Sequence, residues 1–185
     1  MRIERVEVAG FGCLVDREFE FAPGLNVICG PNEAGKSTLL QAILALLYGF
    51  PGGRGHLAGL SPRDLCLPWQ GDRFSGNLVA SLDDGQRFRL ERDFKQERTK
   101  VYRQPGAEDV TNQFNPGRRG LVDFADQYLG LSTLVFQASA LIRQEGLELE
   151  KGDVDALHSK LETLADSGGV EQSAQKALEK LEEWR

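Results

Sequence analysis

Eight consecutive residues carry the chemistry most legible in this chain. Gly30-Pro31-Asn32-Glu33-Ala34-Gly35-Lys36-Ser37 fits the spacing G-x-x-x-x-G-K-[ST] in full, and Thr38 follows. Glycines at the two fixed positions let backbone N–H groups turn inward and approach phosphate oxygens closely. A helix opening at Gly35 adds unpaired N–H groups and the positive end of its dipole. In such a loop Lys36 reaches the β- and γ-phosphates, and the Ser37 hydroxyl ligates Mg²⁺. Asn32, Glu33, Ala34 and Thr38 complete the candidate cradle. The competing reading is a Gly-rich turn with no ligand.

The flanking elements support the cradle. Residues 2–9 alternate around Ile3, Val6 and Val8, and residues 17–22 set Phe19 and Phe21 between Glu18 and Glu20. Both read as strands with one face in water. Pro23-Gly24 signals a turn. Leu25 to Cys29 is a short apolar run, the profile of a strand buried on both faces. From Gly35 to Tyr48 the leucines and isoleucine surround the helix, which predicts a helix buried in a core.

Beyond it, residues 51–76 read as a long Gly- and Pro-rich loop. Leu78, Ala80 and Leu82, then Phe88, Leu90 and Phe94, alternate as strands around Asp83-Asp84-Gly85, a hairpin signal. A third strand is expected at Thr99 to Arg103. Helical patterns follow at 119–129, 131–141 and 153–165. Val170, Ala174, Ala177, Leu181 and Trp184 keep a heptad seam, the mark of a coil or of an amphipathic packing helix. The chain stops in mid-pattern without a helix stop signal, which reads as the root of a longer coil.

Composition excludes several classes. A length of 185 residues predicts about one domain, and 41% hydrophobic with 27% charged residues argues against disorder. The cysteines Cys13, Cys29 and Cys66 form no metal or disulfide spacing, so a reducing cytoplasmic setting is expected. No apolar run reaches the roughly 20 residues that span a bilayer. The net charge of −6 hides an uneven distribution. Residues 51–120 are basic and the last third is strongly acidic, either as solvated faces or as a site for an anionic partner.

The second half of a nucleotide-hydrolysing site is harder to find. Leu78 to Asp84 is the one candidate for a Walker B strand. Ser81 interrupts it and Gly85 makes it a hairpin tip. Ser167-Gly168-Gly169 is like the core of a signature loop but lacks the preceding Leu, and reads as a break between helices. His56 and His158 fit structural or solvated roles. No nucleophile–base set, metal cluster or nuclease motif is evident.

Taken together, the opening strand pair from Met1-Arg2-Ile3 to Phe21, the loop at Gly30, Ile142-Arg143-Gln144 and the coil-like helix resemble the N-terminal head segment of the SMC/SbcC/RecF/RecN ATPases. Asn32 to Thr38, Pro68-Trp69 and Phe88-Arg89-Leu90-Glu91-Arg92-Asp93-Phe94 look most like the YhaN-type branch. The resemblance implies an α/β ABC-type head lobe: a mixed sheet around the buried phosphate-loop helix, plus an antiparallel β subdomain. Residues 1–150 would be the N-terminal ATPase lobe and residues 151–185 the start of a coiled coil. It makes Gln144 the Q-loop glutamine, contacting Mg²⁺ and the attacking water beside Lys36; an amide suits this because it can accept from water without adding charge.

The resemblance further implies ATP and Mg²⁺ as cofactors, and a site completed by a C-terminal lobe and a second head of a homodimer. The chain alone would bind nucleotide with little or no hydrolysis. DNA repair or chromosome maintenance is the implied role, with a nuclease subunit as a companion and no membrane. DNA contact falls to Arg87, Arg89 and their basic neighbours Arg92, Lys95, Arg98, Lys100 and Arg103. Strand alternation sends Arg87 and Arg89 to solvent. Two departures stand out: many relatives carry Gly at the position of Glu33, and a basic residue often follows the first-strand Phe where Phe11 is followed by Gly12-Cys13. Arg17 is a candidate substitute. Other readings stay open: a self-contained small P-loop nucleotide kinase or NTPase, an ATP-gated scaffold without DNA contact, and an ABC transporter ATPase.

Overall fold

The computed structural model describes residues 1–50, 61–114, 122 and 124–141. The backbone divides into two compact units, Met1–Gly130 and Leu131–Arg185. In the first, β1 (Arg2–Phe11) and β2 (Leu14–Glu20) form a hairpin, and α1 (Lys36–Tyr48) follows the phosphate loop. Then come β3 (Ser75–Ser81), β4 (Arg87–Asp93), β5 (Arg98–Gln104), the short β6 (Glu108–Asp109) and α2 (Phe124–Leu129). In the second unit the described helix is α3 (Thr133–Ala140), where the Phe136 N–H donates to the Ser132 carbonyl at 2.9 Å. Gln144 and the helical and coil patterns from 153 onward lie outside the described residues.

The described strands form one sheet in the order β2-β1-β3-β4-β5-β6. Every pairing is antiparallel. This corrects the expected mixed sheet, since among the described residues no parallel pair occurs. The missing piece is Leu25 to Cys29, which is not a strand here. Leu25 is 91% and Val27 74% exposed, and Cys29 is exposed rather than buried. A strand buried on both faces needs neighbours in the ladder and cover above and below. No described strand pairs with this run. The Pro23-Gly24 turn before it forms as expected, because Asn26 accepts from the Ala22 N–H and donates to the carbonyls of Ala22 and Gly24.

The sheet buries one face. Alternation puts Val6, Val8, Leu78, Ala80, Phe88, Leu90 and Val101 inside. Leu39, Ala42, Leu46 and Leu47 of α1 pack on the β1–β3 side, so the helix is buried as expected. Phe11, Phe50, Phe74 and Phe94 form an aromatic cluster there, with ring centroids from 5.0 Å (Phe74–Phe94) to 6.0 Å (Phe11–Phe50). A second core gathers Phe88, Leu90, Val101, Phe114 and Phe124 beneath α2. The hairpin at Asp83-Asp84-Gly85 forms, and Gly85 takes φ +83° at its tip. That settles the segment as a turn rather than a Walker B strand.

Arg92 ties the cores together. It was grouped with the basic surface residues, but inward alternation after Phe88 and Leu90 buries it to 1% exposure. Its Nε donates to the Leu46 carbonyl. Its terminal nitrogens donate to the carbonyls of Leu47 and Val122, both at 3.0 Å, and to Thr99 Oγ1 at 3.1 Å. Leu46 and Leu47 are in the last turn of α1, whose carbonyls have no intrahelical donor. A cation there also meets the negative end of the helix dipole. Replacing Arg92 by Met leaves these acceptors buried and unmet. The expected loss is about 2–4 kcal/mol of unfolding free energy, read from urea denaturation midpoints. Arg92→Lys should recover only part of it, because an ammonium lacks the planar fork.

Candidate functional site

The site is assembled where the β1–β2 hairpin tip meets the first turn of α1. Gly35 precedes the helix at φ +91°, and a Cβ there would lie 2.8 Å from Leu14 Cδ2 and 3.0 Å from Cys13 Sγ. Only glycine meets both demands. Gly12, at φ +52°, sits as tightly on the other side, its would-be Cβ 2.9 Å from Thr38 Cγ2. Cys13 Sγ and Thr38 Oγ1 are 3.5 Å apart. The hairpin tip therefore locks the helix start and fixes the direction of its N–H groups.

The loop is shaped for an anion. The first α-helical bond at this end runs from the Leu39 N–H to the Gly35 carbonyl at 2.8 Å. The N–H groups of Lys36, Ser37 and Thr38 precede any intrahelical acceptor, and no side chain caps the helix. Lys36 Nζ donates to the carbonyls of Gly30 at 2.9 Å and Pro31 at 2.7 Å, which folds the loop over the helix start. Lys36 and Ser37 remain exposed and accessible to a ligand. An incoming phosphate would draw the ammonium from carbonyls to anionic oxygens, a stronger pairing. These groups fit the triphosphate of a nucleotide, and the Ser37 hydroxyl fits one corner of a hard divalent ion. Among the described residues no cluster of three His, Cys, Asp or Glu side chains gathers to hold a metal independently.

Glu33 is exposed and takes φ +66°. A side chain in this left-handed region costs about 1 kcal/mol, a cost that glycine would not carry. The residue stands in solvent. Arg17 does not join the loop. It lines a separate cleft of about 320 Å³ on the solvent face of the sheet, with Glu7, Asp16, Glu18, Arg73 and Asn77. No phosphate-loop residue borders that cleft, and Arg73 closes on Asp16 in an ion pair. The uncapped N–H groups and Lys36 converge instead at the open loop.

Sequence reasoning missed the segment that braces the hairpin tip. Ser61 Oγ donates to Asp64 Oδ2 at 2.7 Å. Hydrogen bonds from the Ser61 side chain and backbone hold that carboxyl below its ordinary range. A 3₁₀ turn at Asp64–Cys66 follows. The Gly12 N–H donates to the Cys66 carbonyl, and the Trp69 N–H donates to the Gly12 carbonyl, both at 2.9 Å. Pro68-Trp69 was noted in the sequence as a resemblance only, with no role attached.

Three comparisons bear on this geometry. A family model described as "AAA domain" matches residues 5–184. Over 69 residues the chain is 41% identical to a DNA replication and repair protein RecF of Magnetococcus marinus, covering 37% of this chain and 18% of that protein. Over 46 residues it is 46% identical to a DNA double-strand break repair Rad50 ATPase of Methanopyrus kandleri, covering 25% of this chain and 5% of that protein. The matched stretches thus span less than a fifth of these curated relatives. A solved structure of the recombination mediator RecF with ATP shares 21% identity at a TM-score of 0.41, over 58% of this chain and 27% of that one. That likeness is too slight to carry an argument about the fold. Among the described residues no helix is long and apolar enough to cross a membrane.

The cysteines test the packing around the site. Cys29 is exposed and Cys66 is buried, where burial pushes its thiol up to about 11 from 9.0. The neutral thiol is the favoured folded form. Its contribution to stability is whole below pH 9 and is lost as pH rises through about 11. At pH 8 a thiol reagent should label Cys29 at once and Cys66 only after denaturation, read by mass spectrometry of the labelled peptides.

Proposed function

The chain belongs to the AAA domain family, as a head segment of the SMC/RecF class of ABC-type ATPases, and from this premise we propose that it is the Mg-ATP-binding lobe of an ATPase acting in DNA repair or chromosome maintenance. One observation carries the reading. The uncapped start of α1, with Lys36 folded over it and Gly35 pressed on the hairpin tip, offers converging donors to a triphosphate. Asn32, Glu33, Ala34 and Gly35 supply backbone, Lys36 supplies charge and Ser37 supplies a metal-binding hydroxyl. When bound, Mg²⁺ would neutralise charge on the phosphates. Gln144 belongs to the proposal as the residue that orients water.

Hydrolysis requires groups that the described residues do not assemble. We assign the signature loop and the catalytic carboxylate to a C-terminal lobe and to a second head. The run from Leu25 to Cys29 supports this division. Its apolar side chains suit a sheet to which the described strands contribute no partner. Calorimetry should show ATP binding that is lost in Lys36→Ala, with a fall of at least about 100-fold. Phosphate release by the chain alone should stay near background, and robust turnover would overturn the division of the site.

A second reading adds DNA, favoured by the relatives, a DNA replication and repair protein and a DNA double-strand break repair ATPase. Arg87 and Arg89 lie on the solvent face of β4, opposite Phe88 and Leu90. Each is engaged: Arg87 Nε is 2.6 Å from Glu4, and Arg89 is 2.5 Å from Glu91. A hydrogen bond from Arg2, foremost, also holds the Glu4 carboxyl below its ordinary range. The patch is therefore a mixed-charge surface, with Arg92 removed from it. Duplex DNA bound here should weaken with salt. Arg87→Glu with Arg89→Glu should reduce affinity at least tenfold in fluorescence anisotropy, and unchanged affinity rejects this face as the contact.

A further inference from the structure

Trp69 is anomalous in a way the phosphate chemistry does not explain. Its side chain is 74% exposed, although its backbone is firmly held. The Trp69 N–H is bonded to the Gly12 carbonyl, and the Gly12 N–H to Cys66. Pro68 packs on β1, its Cγ 3.3 Å from the Cβ position of Gly10. Cys66 is buried beside α1, its Sγ 3.8 Å from Gln41 Oε1. Arg63 anchors the start of the segment by donating twice to the Phe94 carbonyl, at 3.2 and 3.0 Å. Leu65 and Leu67 flank Cys66 and are about half-exposed, but Trp69 presents far more of its surface. A pinned backbone presenting a bare indole is a preformed platform.

The position of the platform identifies what would rest on it. Trp69 bonds to Gly12, and Gly12 touches Thr38 in the first turn of α1. That turn is where the phosphates of a nucleotide would sit. A nucleotide held there by its phosphates would extend its ribose and base over the rim of the loop, next to the hairpin tip to which the Trp69 backbone is bonded. An indole offers a flat π-face to a purine and has only two side-chain torsions to fix. The basic residue that relatives often place after the first-strand Phe is Gly12-Cys13 here. A tip with so little side chain lets the bracing segment approach it closely.

We propose that the Trp69 indole is the stacking platform for the purine base of the nucleotide whose phosphates occupy the Gly30–Thr38 loop. This deepens the nucleotide-binding reading and rests on it. Stacking recognises any π-face, so Trp69 contributes affinity for a base and discriminates little between adenine and guanine.

The test compares ATP, GTP and inorganic tripolyphosphate, each with Mg²⁺, by calorimetry on the wild type, Trp69→Ala and Trp69→Phe. Removing the indole should weaken both nucleotides about 5- to 100-fold, the range of base–aromatic stacking. Tripolyphosphate affinity should not change, and Trp69→Phe should retain most nucleotide affinity. In a Trp184→Phe background, indole fluorescence should respond to ATP and not to tripolyphosphate. Nucleotide binding that ignores Trp69, or equal loss of all three ligands, overturns the stacking while sparing the phosphate loop. A wild type that binds none of the three overturns the phosphate-loop reading and the stacking with it. Binding of tripolyphosphate as tightly as ATP by the wild type overturns the stacking alone.

Discussion

The guanidinium of Arg92 is the constraint on which the rest of this unit depends. It reaches from β4 to the carbonyls that end α1, and also to β5 and Val122. A helix that binds an anion at one end must be held at the other, or ligand affinity is spent in moving the helix. The apolar packing of Leu39, Leu46 and Leu47 supplies most of the hold but no direction along the axis. The hydrogen bonds from Arg92 supply the direction. They also tie the two aromatic cores to one another, since Leu46 and Leu47 belong to one core and Val122 to the other.

The other end of α1 is fixed by absence of side chain rather than by charge. Gly12 and Gly35 allow contacts that any Cβ would push apart. The first turn is thus wedged between the hairpin tip and the loop, while Arg92 secures the last. Residues far apart in sequence converge here because the β1–β2 tip, the segment around Cys66 and the helix start share one small region. The fold serves the loop by holding both ends of a single helix.

Much of this was legible in the residues. The loop motif, the helix, the two opening strands and the turn at Asp83-Asp84-Gly85 follow from local rules of spacing and turn chemistry, which do not need a tertiary partner. Arg92 was legible in principle: the alternation that sends Arg87 and Arg89 outward sends Arg92 inward, but charge composition argued for the surface. Leu25 to Cys29 could not be read, because burial on both faces depends on strands that the run itself does not specify. Trp69 escaped for a related reason. An exposed aromatic in a Pro-rich stretch gains meaning only when its backbone is found bonded to the hairpin tip. The family resemblance proposed Gln144, yet it could not show how closely the segment around Cys66 would approach Gly12-Cys13.

The exposed run from Leu25 to Cys29 has a consequence for the life of the polypeptide before it meets any partner. The exposed apolar side chains of Leu25, Val27 and Ile28, with Asn26 the one polar residue among them, invite pairing with another extended strand, including the same run in another copy. The charged strand β2 that precedes it in the chain, with Asp16, Arg17, Glu18 and Glu20, carries the side chains that discourage such pairing. An exposed run of this kind is where the chain is most prone to aggregate, so any strand that covered it would protect the polypeptide as well as extend a sheet.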